Sequence, residues 1–267
     1  MKKLSKLLGL VIIGSTVFTS CKKETASVAP EEISASTLAS ISAHGFGTSN
    51  VQKIDEGYLV EGDIVLTADF LAQRPAGSLL RIGSIEQYRT TNLVSQNRNI
   101  SLALDSKLRS KAGYTQALAE VARRYNAENL TLTFTVVTSG ANITFSNATG
   151  SYLASAGFPS GGNPFNSVKV NSRAIGTGTS TTFINYLATI MAHEGGHCIG
   201  MRHTDYADRS YSCGGATSNE GASSVGAIFI PGTSAGPEAG SWMLACIGSG
   251  VNRPFTGNDK TALSTIY

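Results

Sequence analysis

The chain has 267 residues, of which 41% are hydrophobic and 15% are charged, which is enough for one or two ordinary domains with a proper core. The net charge is only +3 without a dense basic run, so the composition gives no support for a nucleic-acid partner. Glycine is frequent, with 29 residues, which favours many loops and short strands over a helical bundle.

Residues 1–20 have the pattern of an export signal, with a lysine-rich start and a short apolar run from Leu7 to about Val17. The run is too short for a permanent membrane-spanning helix. It ends in Phe-Thr-Ser-Cys21, which resembles a bacterial lipobox, although that motif usually has leucine in place of Phe18. The resemblance implies that Cys21 is lipidated and anchors the protein to the outer membrane or cell surface. Cleavage of an ordinary secretory signal near the same place is the alternative.

Residues 21–43 are rich in alanine, serine, glutamate and threonine without a clear apolar period, which predicts a flexible tether. Order is expected to begin near His44. Residues 58–71 predict a short strand with a turn at Glu61-Gly62-Asp63, and residues 73–78 break it with a proline and a glycine.

Alternating and helical periodicities predict the main elements that follow. These are strands within 99–108, 130–137, 142–146 and 167–171, a helix within 113–130, a loop at 157–165, a long helix over Thr181–Ile199 capped by Ser180, and a final short helix capped by Asn258 or Asp259. Their order predicts an α+β fold: one small twisted mixed sheet, a backing helix, an active-site helix, and an irregular C-terminal subdomain that ends in a helix.

Three of the four histidines of the chain lie close together in the sequence HEGGHCIGMRH, which begins at residue 193. His193 and His197 are one helical turn apart, so both rings leave one face of the helix and can bind a single Zn²⁺ ion. Glu194 can reach a water at an open coordination position and accept its proton. Gly200 can take a positive φ and end the helix, so that His203 turns back as the third ligand.

This sequence resembles the extended zinc motif of the metzincin metallopeptidases. With its continuation Thr-Asp it resembles the bacterial dual-action HEIGH metallopeptidases, found in secreted and lipid-anchored proteins of the Bacteroidota. The resemblance implies a metzincin-like fold with one catalytic zinc per chain. Gly195 departs from the family by replacing an apolar residue, but the three histidines, Glu194 and Gly200 are all present.

Further positions acquire candidate roles from the same resemblance. Met243 matches the methionine of the turn below the zinc, with an ordinary core methionine as the alternative. Ala245 stands where relatives such as the astacins have a tyrosine that stabilises the oxyanion; Tyr206 and Tyr211 are candidates to replace it, or ordinary loop residues. Asp205 is either a hydrogen-bond partner of a ligand histidine or a solvated loop residue.

The stretch Val60-Glu61-Gly62-Asp63-Ile64 resembles the pro-segment motif of the astacins, although Val60 replaces a phenylalanine. In that motif the aspartate binds zinc in place of the catalytic water, which predicts Asp63 as a fourth ligand in a latent precursor. A hairpin aspartate that caps its own turn is the alternative. Arg74 and Arg81 offer sites for removal of the segment.

These observations divide the chain into a signal peptide (1–20), a tether (21–43), a pro-segment-like region (44–90) and a zinc metallopeptidase domain (91–267). If Cys21 is lipidated, three cysteines remain and form at most one disulfide. The sequence does not choose among the pairings of Cys198, Cys213 and Cys246, or between a pairing and three free thiols.

The sequence therefore predicts a secreted or lipid-anchored zinc metalloendopeptidase that acts on proteins or peptides. By resemblance, the substrate strand pairs with an edge strand above the cleft, which residues 139–146 are expected to supply. A non-catalytic surface protein that retains a zinc site, and a zinc hydrolase of a non-peptide bond, are the alternatives.

Overall fold

The structure is a computed structural model that describes residues 32–73, 87–217, 219, 227–234 and 236–267. The expected signal peptide, Cys21, Arg74 and Arg81 lie outside the described residues. The strands in the described ranges are β1 (Gln52–Ile54), β2 (Gly57–Val60), β3 (Ile64–Leu66), β4 (Tyr88–Arg89), β5 (Arg98–Leu104), β6 (Leu132–Val136), β7 (Ile143–Asn147), β8 (Ala154–Ser155), β9 (Ser167–Val170) and β10 (Ile228–Phe229). The helices there are α1 (Ala35–Ala43), α2 (Ala68–Ala72), α3 (Ser106–Arg109), α4 (Tyr114–Asn126), α5 (Ser172–Ile175), α6 (Thr181–Ile199), α7 (Ser210–Cys213) and α8 (Gly257–Ile266). None of these helices has the length and apolar character that spanning a membrane requires.

The main sheet has the strand order β6-β5-β7-β9-β8, in which β8 is antiparallel and the other strands are parallel. Along β5, Ile100 and Leu102 are buried and alternate with Ser101, which is half-buried, as expected for a sheet with one buried face. The mixed sheet and its helices confirm the α+β class.

The position of residues 139–146 in the main sheet differs from the expected one. Residues 143–147 form β7, which pairs with β5 and with β9, so the expectation that residues 139–146 supply an edge was wrong. Both apolar residues of β7, Ile143 and Phe145, are fully buried, which fits an inner position. The two edge strands are β6 and β8, and β8 is only two residues long.

The two main helices pack on each other and on the sheet. On α4, Leu118, Val121 and Tyr125 form a buried face that packs against α6, β5 and β6. Helix α6 has the predicted bounds, and the side chain of its N-cap Ser180 accepts a hydrogen bond from the Phe183 amide. Every residue of α6 from Tyr186 onward is buried, so the half of the helix that carries His193 and His197 lies inside the protein.

The last helix begins two residues earlier than expected. Thr256 is the N-cap of α8, and Asp259 completes a capping box by accepting from the Thr256 amide. A threonine followed three residues later by an acidic residue satisfies two backbone N–H groups at once, which explains why neither Asn258 nor Asp259 is the cap.

The described hydrophobic side chains form two clusters. The larger one contains buried residues from Val94 to Tyr267 and none N-terminal to Val94. The smaller one, called here the segment cluster, is built from residues 41–71 with Phe158 added from the other part of the chain. Helix α1 contributes Ile41 to the segment cluster, so the end of the expected tether is ordered because it buries an apolar side chain.

Residues 87–90 make contacts with the C-terminal part of the chain, although the sequence analysis assigns them to the pro-segment-like region. Strand β4 pairs with β10, and the amide of Thr90 donates to the carbonyl of Gly200 at 2.8 Å. The Gln87 side chain donates to Asp259 at 2.6 Å. These contacts tie residues 87–90 to Gly200, strand β10 and helix α8.

Candidate metal centre

Helix α6 presents His193 and His197 from one face, with their Nε2 atoms 3.1 Å apart. The Nδ1 atoms bond to backbone carbonyls of Trp242 and Met201, each at 2.8 Å. Because a carbonyl oxygen can only accept, each Nδ1 carries the proton and each Nε2 offers its lone pair to the same point. The two rings are thus fixed in the tautomer that binds a metal.

Gly200 brings the third histidine to this point. Its φ of 110° lies in the left-handed region and ends α6. A Cβ at this position would lie 2.8 Å from the carbonyl oxygen of Asn92, so both the turn and the close approach require glycine. After the turn, the Nε2 atom of His203 lies 3.2 Å from that of His197.

The three histidines fit a zinc ion. In a tetrahedral site with Zn–N bonds of about 2.0–2.1 Å, neighbouring nitrogens are separated by about 3.3–3.4 Å, close to the spacings of 3.1 and 3.2 Å found here. All three histidines are buried. Burial, together with the neighbouring His193 and His203, holds the pKa of His197 well below its usual value, so that its ring stays neutral and able to bind a cation.

Asp63 adds a carboxylate to the histidines. Its Oδ2 atom lies 3.1 Å from Nε2 of His203 and 3.5 Å from Nε2 of His193, and one ligand atom from each of the four residues lies within 4.8 Å of the others. Burial alone would raise the pKa of Asp63, but the neighbouring histidines, His203 first, hold it well below its usual value. The carboxylate therefore contacts the histidines and does not cap its own hairpin turn.

The backbone around Asp63 pairs with the chain just beyond the edge strand. The amide of Ala156 donates to the Asp63 carbonyl at 2.9 Å, and the amide of Val65 donates to the Ala156 carbonyl at 2.6 Å. This bridge is parallel. The segment thus lies against the edge of the main sheet as an added strand would.

Glu194 follows the first histidine and is also buried. Burial, followed by the nearby charge of Asp63, raises its pKa well above the usual value. Its Oε2 atom has no hydrogen-bond partner in the described part of the chain. The residue lines a cavity of about 280 Å³ together with Asp63, His193, Tyr152 and Trp242, so its carboxylate adjoins both the histidines and open space.

Met243 lies under α6 and is fully buried. A Cβ on Gly196 would lie 2.5 Å from its sulfur, whereas a Cβ on Gly195 would make ordinary contact with Tyr125 at 3.6 Å. The Met243 carbonyl also accepts from the Thr204 amide at 3.0 Å, next to the third histidine. Gly196 is therefore needed for the methionine to approach the helix.

The site matches a known family over most of the chain. Residues 58–267 match the dual-action HEIGH metallo-peptidase family. The chain belongs to this family. Membership makes the protein a metallopeptidase, which acts on proteins or peptides, and the HEIGH family implies a metal at the histidine cluster.

Solved structures give more distant similarities to this HEIGH metallopeptidase. A crystal structure of myroilysin is 15% identical with a TM-score of 0.39, over 66% of this chain and 86% of that one. A second structure of myroilysin is 17% identical with a TM-score of 0.40, over 68% and 98% of the two chains. A GM1-bound form of the ECX AB5 holotoxin is 14% identical with a TM-score of 0.33, over 45% and 62%. A comparison with curated proteins gives no match.

The remaining candidates of the HEIGH metallopeptidase have structural roles around the site. Asp205 is buried and accepts from the Ala245 amide at 3.0 Å and from the Ser212 hydroxyl. It therefore joins two loops, and within the described part of the chain it is neither a solvated residue nor a hydrogen-bond partner of a ligand histidine. Tyr206 packs edge-on against Tyr88 with ring centroids 4.2 Å apart. Tyr211 is 45% exposed.

The structure contains one disulfide among Cys198, Cys213 and Cys246. Cys213 and Cys246 form a disulfide, and Cys198 is free and buried. The amide of Cys246 donates to Ser212 at 3.0 Å, so the disulfide and the hydrogen bonds of Ser212 join the same two loops.

Two features of the site have no signal in the sequence. Tyr152, which lines the cavity beside Glu194, lies in a glycine- and serine-rich stretch without periodicity. Arg202 is fully buried and pairs with Glu61; an arginine between two expected functional positions looks like an ordinary loop residue until the structure brings the glutamate to it.

Proposed function

We propose that this metallopeptidase is an exported zinc metalloendopeptidase made as a latent precursor, in which Asp63 takes the coordination position of the catalytic water. The observation that carries the proposal is the convergence of the Asp63 carboxylate and three imidazole nitrogens on one point. Three histidines with an adjacent buried glutamate support a catalytic site, because structural zinc sites are usually closed by four permanent protein ligands.

His193, His197 and His203 would hold the zinc ion. When bound, zinc lowers the pKa of its water and polarises the carbonyl of the scissile peptide bond. The hydrogen bonds of His193 and His197 to backbone carbonyls keep both rings oriented while substrate binds.

Glu194 would be the general base. Its carboxylate accepts the proton of the attacking water and delivers it to the leaving amine. Burial favours its protonated form, so that the proton is held within the cavity between the two steps. The cavity beside it, lined by Tyr152 and Trp242, gives space for a substrate side chain.

The latent form follows from the position of Asp63. A carboxylate is a good zinc ligand at about 2.0–2.2 Å, and while it occupies the open position Glu194 has no water to activate. Cleavage at Arg74 or Arg81 would separate residues 32–73 from the part that begins at Gln87. The larger hydrophobic cluster has no buried residue N-terminal to Val94, so release of the segment leaves it intact.

The decisive experiment measures casein hydrolysis by the full chain, before and after cleavage at a protease site introduced between residues 74 and 86. Cleavage should release activity that a chelator removes and added zinc restores. Glu194→Ala should lower the activity of the cleaved protein by about 10²–10⁴-fold, and Glu120→Ala on α4, which does not line the cavity, serves as the control. Undiminished hydrolysis by Glu194→Ala would reject the mechanism.

Export and anchoring are the second part of the proposal. The lipobox-like end of the signal supports lipidation of Cys21. Cys21→Ser should release the protein from membranes while its activity after cleavage is kept. Unchanged membrane association of this variant would point to another anchor.

A further inference from the structure

We infer that Arg253 determines the specificity of the cavity beside the metal centre, where its guanidinium binds a carboxylate of the substrate. The inference rests on the proposed peptidase and adds a substrate class to it. The substrates would be peptides that carry, close to the scissile bond, either an acidic side chain or their own C-terminal carboxylate.

Arg253 shares this cavity with the residues that would perform the reaction. The cavity has a volume of about 280 Å³, and Arg253, His193 and Glu194 all line it. Many of the other lining residues are apolar. Among the described residues, Asp63 and Glu194 are the only acidic ones that line it, and Asp63 belongs to the segment that activation would remove. A substrate side chain in the cavity would therefore meet a guanidinium close to the reacting groups.

The backbone of Arg253 is fixed near the first ligand histidine. Its amide donates to the hydroxyl of Thr189 at 3.0 Å, and Thr189 also lines the cavity. Thr189 precedes His193 by four residues on α6, so the two side chains leave the same face about 6 Å apart along the helix. The neighbouring Asn252 accepts from the side chain of Arg124 at 2.9 Å, which ties the same loop to α4. The position of Arg253 is thus built by both main helices.

The guanidinium of Arg253 is oriented but has donors left for a ligand. Its Nη1 atom donates to the Cys246 carbonyl at 2.9 Å. Within the described part of the chain this is its only hydrogen bond, and the guanidinium forms no ion pair there. An arginine carries five N–H donors, so one bond to the backbone holds the group in place while the remaining donors can bind a carboxylate.

The surroundings of Arg253 favour an anionic ligand. The residue is half-buried, and burial lowers its pKa, although the charges of Asp205 and Asp259 act in the opposite direction. Both carboxylates already accept other hydrogen bonds, Asp205 from the Ala245 amide and Asp259 from the Gln87 side chain. Because an arginine stays protonated and a desolvated charge is costly without a partner, a substrate carboxylate would supply the missing counter-charge.

The first test measures specificity with the chain cleaved at the introduced site. Pairs of quenched peptides that differ only by glutamate or glutamine are compared at each position near the scissile bond. A further pair differs only by a free or an amidated C-terminus. One pair should favour the carboxylate by about tenfold or more in kcat/KM, and the pair that does so identifies the source of the carboxylate.

Variants assign the preference to one arginine. Arg253→Met should abolish the ratio, and Arg253→Lys, which keeps the charge, should retain part of it. Arg173→Met on α5, which does not line the cavity, is the matched control and should keep the full ratio. Arg209 also lines the cavity, so a ratio that is lost in Arg209→Met and kept in Arg253→Met would overturn the inference.

The second test measures binding and needs no catalysis. Capped glutamate and capped glutamine, each with an acetylated amino group and an amidated α-carboxyl group, are titrated by calorimetry against the uncleaved wild-type chain. Capped glutamate should bind about tenfold or more tightly than capped glutamine, and Arg253→Met should remove the difference. The fluorescence of Trp242, the single tryptophan of the chain and a lining residue, shows that the probe enters this cavity. Equal behaviour of the two probes would overturn the inference.

The two tests separate the subsite from the peptidase. An active enzyme that cleaves both members of every pair equally overturns the subsite and keeps the peptidase. No hydrolysis of any peptide rejects the proposed peptidase, and the calorimetric measurement, which uses the uncleaved chain, then decides on the subsite.

Discussion

The N-terminal segment and the catalytic part are built in different ways. The catalytic part has a large cluster of buried side chains drawn from its own sheet and helices. The segment cluster is small and takes one buried side chain, Phe158, from the catalytic part. At the metal centre the segment instead uses charged groups, Asp63 on the histidines and Glu61 on Arg202.

We infer from this difference that the segment is attached in the way a ligand is. Its carboxylates Asp63 and Glu61 contact His203 and Arg202. A segment attached in this way could be removed without unfolding the rest of the chain. Four predictions test this comparison, from the largest expected effect to the smallest.

The largest effect should come from replacing by alanine one predicted metal ligand of the catalytic part, His197, and one of the N-terminal segment, Asp63. We expect His197→Ala to lose bound zinc and activity together, because the imidazole is fully buried at the centre of the three nitrogens. Asp63→Ala should keep zinc and make the uncleaved chain active, by about 10²–10⁴-fold over the wild-type precursor if Glu194 then becomes able to act. Metal content and peptide hydrolysis are measured on both uncleaved proteins.

Asp63→Asn provides the matched control for size, since it removes the charge of the ligand and keeps its shape. It should activate the precursor less than alanine does. If Asp63→Ala loses zinc as His197→Ala does, Asp63 is a permanent ligand of the site and the comparison between the two parts fails.

The second prediction concerns the two clusters. Phe46 is buried against Phe70 and Phe158, with ring centroids 6.0 and 5.8 Å away. Removal of such a ring typically costs about 3–5 kcal/mol. In the full chain, Phe46→Ala should lower the hydrogen-exchange protection of β2 and β3 while that of β5 stays unchanged. Phe134→Ala, in the larger cluster, should lower protection in all three strands.

Equal loss of protection in β5 for Phe46→Ala would show that the two parts unfold as one unit. The segment would then be an integral layer of the domain, and its cleavage would be expected to destroy activity and not to release it.

The sequence predicted the elements whose patterns are local. Helix α6 was placed at its observed bounds because Ser180 and Gly200 mark its ends, and the alternation along 130–137 predicted β6. Topology was not predicted, because the position of β7 inside the sheet depends on which strands pair with it. The predicted start of the last helix was wrong because Thr256, and not Asn258 or Asp259, is the N-cap.

The spacing of the motif predicts that the three histidines lie close together with Glu194 beside them. Two of the histidines share one helical face, and Gly200 provides the turn that returns His203 to them. The pairing of Cys213 with Cys246 and the contact of Arg202 with Glu61 join distant parts of the chain. No local pattern encodes such contacts, so they required the structure.

The third prediction compares the effects of alanine substitutions at two neighbouring glycines of α6 on the stability of the catalytic part. Gly196→Ala should destabilise the protein by about 1–3 kcal/mol, because its Cβ would overlap the sulfur of Met243 and force repacking. Gly195→Ala should be neutral or stabilising by up to about 1 kcal/mol, since its Cβ makes only ordinary contact with Tyr125 and alanine favours the helix. Denaturant unfolding measures both, and equal effects would contradict the proposed packing of Met243.

The smallest effect concerns Glu120 on α4, which pairs with Arg123 at 2.6 Å and with Arg124 at 2.9 Å. The hydrogen bond from Arg123, with help from Arg124, lowers the pKa of Glu120 from 4.5 to about 2. A carboxyl whose pKa is lower in the folded state stabilises the protein above its unfolded pKa, and that stabilisation is lost as the pH falls from 4.5 to about 2.

Glu120→Gln should therefore lower the free energy of unfolding by no more than about 1 kcal/mol near pH 7, because solvent screens the partly exposed pair. The difference from wild type should shrink to nothing as the pH approaches about 2. Glu128→Gln, which removes the contact to Lys260 at 3.2 Å, controls for the change in net charge. Because Glu120 lies in the catalytic part, the loss should appear in the protection of β5 and not in the local opening of β2 and β3. An equal loss of hydrogen-exchange protection in β2 and β3 would mean that the stability of the segment depends on α4. The segment would then not be attached as an independent ligand.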